Sequence, residues 1–358
     1  MTLFFRNKPL AVIVGGALGV MATSGAAHAF EAKISGHLNR MIIHADDGQR
    51  SEVFHADNIN SQTRFRFTGT QDLGSGLKAG INWEVGWTSN PSDKLNMTTK
   101  SVASTLNERH VDIFFQGLWG TVSLGQGDGA ANGGMEVDLS DTTVIQYSGV
   151  QDIGGAFAFQ SGGVAGPTIS ATTNNLDFES RYDRIRYDTP SFGPVSFAVS
   201  SGTTGDGFDA TELAANLATE LGAGKLAGTL GWSSEDRGGA VGDEKTVGGS
   251  LSYLARNGFN VTVGHGQREV DTIGTADKKF TYLKLGYKFG KHAVSADYGE
   301  AKDHAAAGDK GKVYGIAYVW SPEKWVELYA GLKQHQLERP GTSFDDIRFL
   351  SVGTRIKF

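Results

Sequence analysis

Cysteine is absent from the 358 residues. That removes disulfide staples, thiol catalysis and cysteine-based zinc sites, and a chain of this length does not need staples to hold a core. Proline is scarce, with 7 residues. Beyond the N-terminal leader no segment approaches the roughly 20 apolar residues of a membrane-spanning helix. Positive charge is also short: 33 Lys and Arg against 39 Asp and Glu give a formal charge of −6. This argues against a nucleic-acid partner, which needs at least one basic face. No H-E-x-x-H, G-x-S-x-G or Walker loop occurs, so no motif points to an enzyme. What is plentiful is glycine, 50 residues, about twice the usual share of roughly 7%. Glycine with few prolines suits curved sheets with many turns, and the normal aromatic content argues against disorder.

Residues 1–29 read as a signal peptide. Arg6 and Lys8 form a basic start, Leu10 to Met21 is apolar, and Ala27-His28-Ala29 fits a small-x-small cleavage site, so cleavage is expected after Ala29. An N-terminal membrane anchor is the competing reading, but the apolar run is short and a cleavage site follows it directly. Loss of the leader's two cations takes the formal charge from −6 to −8. Residues 30–358 then form one domain.

Along that domain apolar and polar residues alternate with the period of two that marks a strand with one greasy and one wet face. Leu77, Ala79, Ile81, Trp83, Val85 and Trp87 share one face, against Lys78, Gly80, Asn82, Glu84 and Gly86. Leu283, Leu285, Tyr287 and Phe289 oppose Lys284 and Lys288. At the C-terminus Leu350, Val352, Thr354, Ile356 and Phe358 oppose Ser351, Gly353, Arg355 and Lys357. Sixteen such segments are expected, near 33–45, 61–71, 77–88, 106–117, 120–126, 181–189, 194–201, 210–221, 225–234, 245–254, 259–268, 278–289, 292–301, 311–320, 325–337 and 346–358. In the first of them Met41 and Ile43 fall on the face that Lys33, His37 and Asn39 make polar, which predicts a bulge or a loose end. Every other connection is a short Gly, Pro, Asn or Asp turn, such as Asp72 to Gly76 or Gly290-Lys291. The intervening ones are long and polar, the longest running from Gly127 to Ser180.

These features predict an all-β fold: a sixteen-stranded antiparallel transmembrane β-barrel with short periplasmic turns and long external loops. Lipid offers no hydrogen bonds, so a strand-built membrane protein must close on itself, and about sixteen strands leave a wet lumen.

The chain resembles the sixteen-stranded, trimeric general diffusion porins of Gram-negative bacteria. The resemblance spans the domain. It rests on Lys33-Ile34-Ser35-Gly36, Ser61 to Phe67, the turn Asp72-Leu73-Gly74-Ser75-Gly76-Leu77, Arg186-Tyr187-Asp188-Thr189-Pro190-Ser191-Phe192-Gly193, and the terminal Phe358. It implies a passive outer-membrane channel for small hydrophilic solutes and ions, with no covalent step and no cofactor. It also implies a homotrimer latched by Ser89 to Thr105, contact with outer-membrane lipid and lipopolysaccharide, and Phe358 as the signal read by the assembly machinery. It further implies that the third long loop folds inward and narrows the pore.

That loop holds Asp128, Glu136, Asp138, Asp141, Asp152, Asp177 and Glu179 and no Lys or Arg. The wall candidates are Arg64 and Arg66, two residues apart on one strand face, with Arg40 and Lys78 behind them. Asp138, Asp141 and Glu136 are the loop candidates for the constriction. Loop acids can also be mere solvated surface, or hold calcium, although no D-x-D-x-D-G spacing supports the latter. His37, His110 and His265 read as lumen or rim residues. Trp83, Trp87, Trp320, Trp325 and Tyr329 read as a membrane-interface girdle, with a sugar-stacking path in a substrate-specific channel as the alternative. A barrel enzyme and a soluble exported β-rich binding protein are the remaining rivals.

Overall fold

The computed structural model describes residues 31–238, 242–272 and 275–358; the expected leader and its cleavage site lie outside them. Sixteen barrel strands run in chain order: β1 Glu31–Asp46, β2 Arg64–Gly74, β3 Leu77–Thr88, β4 Thr105–Gly117, β5 Gly120–Asp128, β6 Arg181–Asp188, β7 Val195–Thr203, β8 Asp209–Leu221, β9 Gly224–Asp236, β10 Glu244–Ala255, β11 Phe259–Val270, β12 Lys278–Phe289, β13 His292–Lys302, β14 Lys310–Glu323, β15 Val326–Arg339 and β16 Ile347–Lys357. Each pairs antiparallel with the next, and β16 pairs with both β15 and β1, which closes the barrel. The closing register runs from His37 opposite Lys357 to Asp46 opposite Arg348. No helix among the described residues is long and apolar enough to cross a membrane, which says nothing of strands.

The burial pattern is that of a barrel in lipid. On β12, Leu283, Leu285 and Tyr287 are exposed, while the intervening Tyr282 and Lys284 are sealed inside. In water that arrangement is inverted; with hydrocarbon outside and a polar lumen within, both faces are satisfied. Trp83, Trp87, Trp320 and Trp325 stand outward with the aliphatic band, so these four do not form a sugar path through the pore. Tyr329 departs from the girdle: it faces inward, buried, and its hydroxyl donates to Asn39 Oδ1 at 2.6 Å. His265, expected at the lumen or the rim, is in neither place, since it lies mid-strand on the outer face. It stands outward beside Val263 and meets Thr281 at 2.9 Å.

The short turns use positive backbone angles. Gly74, Ser75 and Gly76 all have φ between 53° and 86°, and Asp72 caps the turn by accepting from the Gly74 N–H at 2.7 Å. Phe358 lies beyond the last strand, exchanging both backbone hydrogen bonds with Gly36 at 3.0 Å, with its exposed ring over that glycine.

The bulge expected in β1 does not form, since its register against β16 is continuous through Met41 and Ile43. Both side chains point inward and are buried with Phe54, Phe157, Ile145 and Phe349. The inner wall is apolar there because the long loop 129–180 covers it. Glycine on the wall makes the cover close-fitting: a Cβ on Gly248 would lie 2.9 Å from the Met135 sulfur, and one on Gly231 2.5 Å from the Phe178 ring. The segment expected to latch onto a neighbour also packs on its own barrel. Leu95 and Met97 join the same apolar cluster. Ser92 bonds the backbone of Asp57, and its hydroxyl donates to the Asp152 carbonyl at 2.5 Å.

Candidate functional site: a charged chamber between loop and wall

On the polar face of β2, Arg64 and Arg66 point into the lumen, and the register sets Arg66 opposite Glu84 of β3. Glu84 is sealed from solvent and gathers three guanidiniums: Arg66 Nε at 2.6 Å, Arg109 Nε at 2.5 Å and Arg64 Nη1 at 3.4 Å. Arg109 reaches this cluster through a bulge. The β3–β4 pairing passes from Glu84 opposite His110 to Val85 opposite Glu108, so Arg109 is the extra residue and turns inward. Strict alternation puts residue 109 on the lipid side with Val111 and Ile113, which is why the sequence does not disclose it. A second group follows on the neighbouring strands. Glu327 of β15 holds Arg355 at 2.5 Å and Lys357 at 2.7 Å, and Arg355 also donates to Ser61 Oγ at 2.6 Å. Two carboxylates thus face five cations.

Across the lumen from this strip lies loop 129–180. Arg64, Arg109, Arg181, Arg268 and Arg355 share a chamber of about 590 Å³ with Glu136, Tyr147, Asp152 and Asp177 of the loop. The loop acids are held by their own segment. Asp177 accepts from the N–H groups of Gly133 at 2.7 Å and Met135 at 2.8 Å. Glu136 accepts from Asn175 Nδ2 at 3.0 Å, and Asp152 accepts from the Tyr147 hydroxyl. Burial pushes the Asp152 and Asp177 carboxyls up to about 6. Burial, reinforced by the neighbouring Asp177 and Asp152 charges, takes Glu136 well above the usual carboxylate range.

The residues singled out from the sequence thus separate. Arg64 and Glu136 line the chamber. Arg66 lies beside it, joined through Glu84. Arg40 does not face the lumen: it stands outward between Leu38 and Ile42 and donates to the Ser89 carbonyl at 2.8 Å. Its parity is that of the lipid-facing residues, and the mixed polarity of β1 hides this. Lys78 is paired with Asp72 one step from the short turn, so it belongs to the periplasmic rim. Asp138 and Asp141 lie on the wall side of the loop, ion-paired with Lys284 and Lys288 of β12. Missed were Glu84, Arg355, Arg181 and Arg109, together with Asp152 and Asp177 among the loop acids. Glu84 and Arg355 were visible as polar-face residues of their strands; Arg109 was not. Among the described residues no group of three or more His, Asp or Glu side chains is arranged to hold a metal ion.

The fold recurs in solved structures at low sequence identity. The anion-selective porin from Comamonas acidovorans is 19% identical at a TM-score of 0.67, covering 92% of this chain and 100% of that one. The trimer form of OmpT, an outer membrane protein of Vibrio cholerae, is 13% identical at 0.57, with coverages of 92% and 100%. The outer membrane channel DcaP of Acinetobacter baumannii is 12% identical at 0.56, with coverages of 94% and 100%. No curated protein matches the sequence. A family model described as Gram-negative porin matches residues 16–339, and with that match the chain belongs to the Gram-negative porins, the passive channels of the outer membrane.

Proposed function

We propose that this porin passes small hydrophilic anions in preference to cations, as a homotrimer and without any covalent step. The carrying observation is the cation surplus on the chamber wall. Arg64 and Arg109 line the chamber and, with Arg66 beside it, share the single carboxylate of Glu84, while Arg355 lines it from β16. A low-dielectric wall focuses that surplus into the narrow gap. At physiological salt the screening length is about 8 Å, so charges beside the solute path outweigh the chain's negative total. Of the facing carboxyls, Asp152 and Asp177 are raised to about 6, so they oppose the wall above that pH and cease to oppose it below. Transverse charge across the gap also orders water and penalises apolar solutes. The anion-selective relative and the trimeric one support the reading. Export by the leader, with assembly directed by Phe358, belongs to the same proposal.

The test is the zero-current potential across a salt gradient in a planar bilayer. Wild type is expected to be anion-selective. Arg64→Ala/Arg109→Ala is expected to raise conductance and to shift the cation-to-anion permeability ratio by about threefold towards cations. An unchanged potential in that variant would remove the wall arginines from the selectivity of the channel.

A further inference from the structure

Loop 129–180 meets the barrel on its far side, away from the chamber, and two lysines of the wall are buried in that contact. Lys284 of β12 is fully sealed. Its Nζ lies 2.7 Å from Asp138 Oδ2 and 2.6 Å from the carbonyl oxygen of Gln146, so one ammonium ties two points of the loop. Gln146 in turn donates to Asp297 Oδ1 of β13 at 2.8 Å. Lys333 of β15 donates to the Val150 carbonyl at 3.3 Å. The ties span residues 138–150, the stretch that lies between Glu136 and Asp152 of the chamber.

We propose that Lys284, seconded by Lys333, is a positioning residue that fixes how far the loop stands from the arginine wall and thereby sets the calibre of the pore. The inference rests on the reading that this loop narrows the channel. Neither lysine lines the chamber, so neither acts on a solute directly. A dry ion pair needs both partners: removing one leaves a buried charge that must find water, and here water lies on the lumen side of the loop. Replacing both partners by apolar side chains removes that drive. A lysine that merely filled space would tolerate methionine, whereas a clamp tolerates it only when Asp138 is replaced as well.

Two measurements test this. In planar bilayers, Lys284→Met is expected to change single-channel conductance by about twofold and to add sub-level closures, while Lys284→Met/Asp138→Leu is expected to return both to wild type. Lys291→Met, at a lysine 61% exposed near a short turn, is the control and is expected to change nothing. A folded Lys284→Met channel, identified by heat-shifted gel mobility, with wild-type conductance and noise overturns the clamp. The second measurement uses the wild-type protein and is independent of whether a variant folds. A small amine-acetylating reagent, read by peptide mass spectrometry, is expected to modify Lys288 and Lys291 and to leave Lys284 unmodified. Modification of Lys284 at the rate of Lys288 means that the loop leaves the wall, and also overturns the clamp. Wild type without conductance would sink the channel reading alone, since labelling needs no conductance.

Discussion

Two ion clusters inside this barrel use the same kinds of charge to opposite ends. Around Glu84 the carboxylate is sealed, but Arg64, Arg66 and Arg109 keep 20%, 42% and 11% of their side-chain surface exposed. Between Lys284 and Asp138 both partners are closed off, at 0% and 2%. The first cluster carries a surplus of two positive charges and leaves them wet, where they act on a passing solute. The second is balanced and dry, and its charge is used up in holding the loop. Location relative to water, more than the identity of the residues, separates a selectivity element from a structural one.

The comparison breaks most readily at stability. Lys284→Met is expected to cost about 3–5 kcal/mol, because it strands a buried carboxylate. Arg66→Ala is expected to cost at most about 1 kcal/mol, since Glu84 keeps two partners and Arg66 is largely solvated. Urea unfolding of the refolded protein in detergent measures both, and equal losses would erase the distinction.

Charge readout sharpens it next. Glu84→Gln is expected to raise the anion-to-cation permeability ratio by about twofold, because it frees three guanidiniums from their shared counter-charge. Asp138→Asn is expected to act through loop position, altering conductance more than the ratio. If both variants moved only the ratio, the dry pair would belong with the wet cluster.

The smallest effect concerns pH. Asp152 and Asp177 have carboxyls raised to about 6, so they are ionised above that value and neutral below it. Lowering pH from 8 to 5 therefore removes negative charge from the loop face, and the channel is expected to become more anion-selective with a midpoint near 6. In Asp152→Asn/Asp177→Asn/Glu136→Gln the zero-current potential is expected to stay flat over that range. A step that persisted there would assign the titration to another group.

Most of the barrel was legible from alternation. β3 and β12 begin and end at the expected residues, and β16 differs from its expected span by one residue at each end. The reason is physical: lipid on one side and a polar lumen on the other impose a strict period of two, and the short turns carry glycines where positive φ is required. Legibility failed wherever a second layer of protein replaced one of the two solvents. Met41 and Ile43 look misplaced until the loop covers them. Tyr329 looks like a girdle residue until its hydroxyl is seen bonded to Asn39. Arg40 and Lys78 were chosen for their charge alone, and parity and height dispose of them separately.

By itself the sequence determined the strand count, the closure of β16 on β1 and the sign of the loop, because each follows from local patterning and from a lipid that accepts no unsatisfied backbone. Only the tertiary structure decided which charges meet. Arg109 enters the wall through a bulge set by its pairing with β3. Asp138 turns to Lys284, 146 residues away, while Glu136, two residues earlier, turns to the chamber. A loop without a repeating period has no rule that assigns its side chains to one face or the other. Their orientation follows from the shape of the wall on which the loop comes to rest.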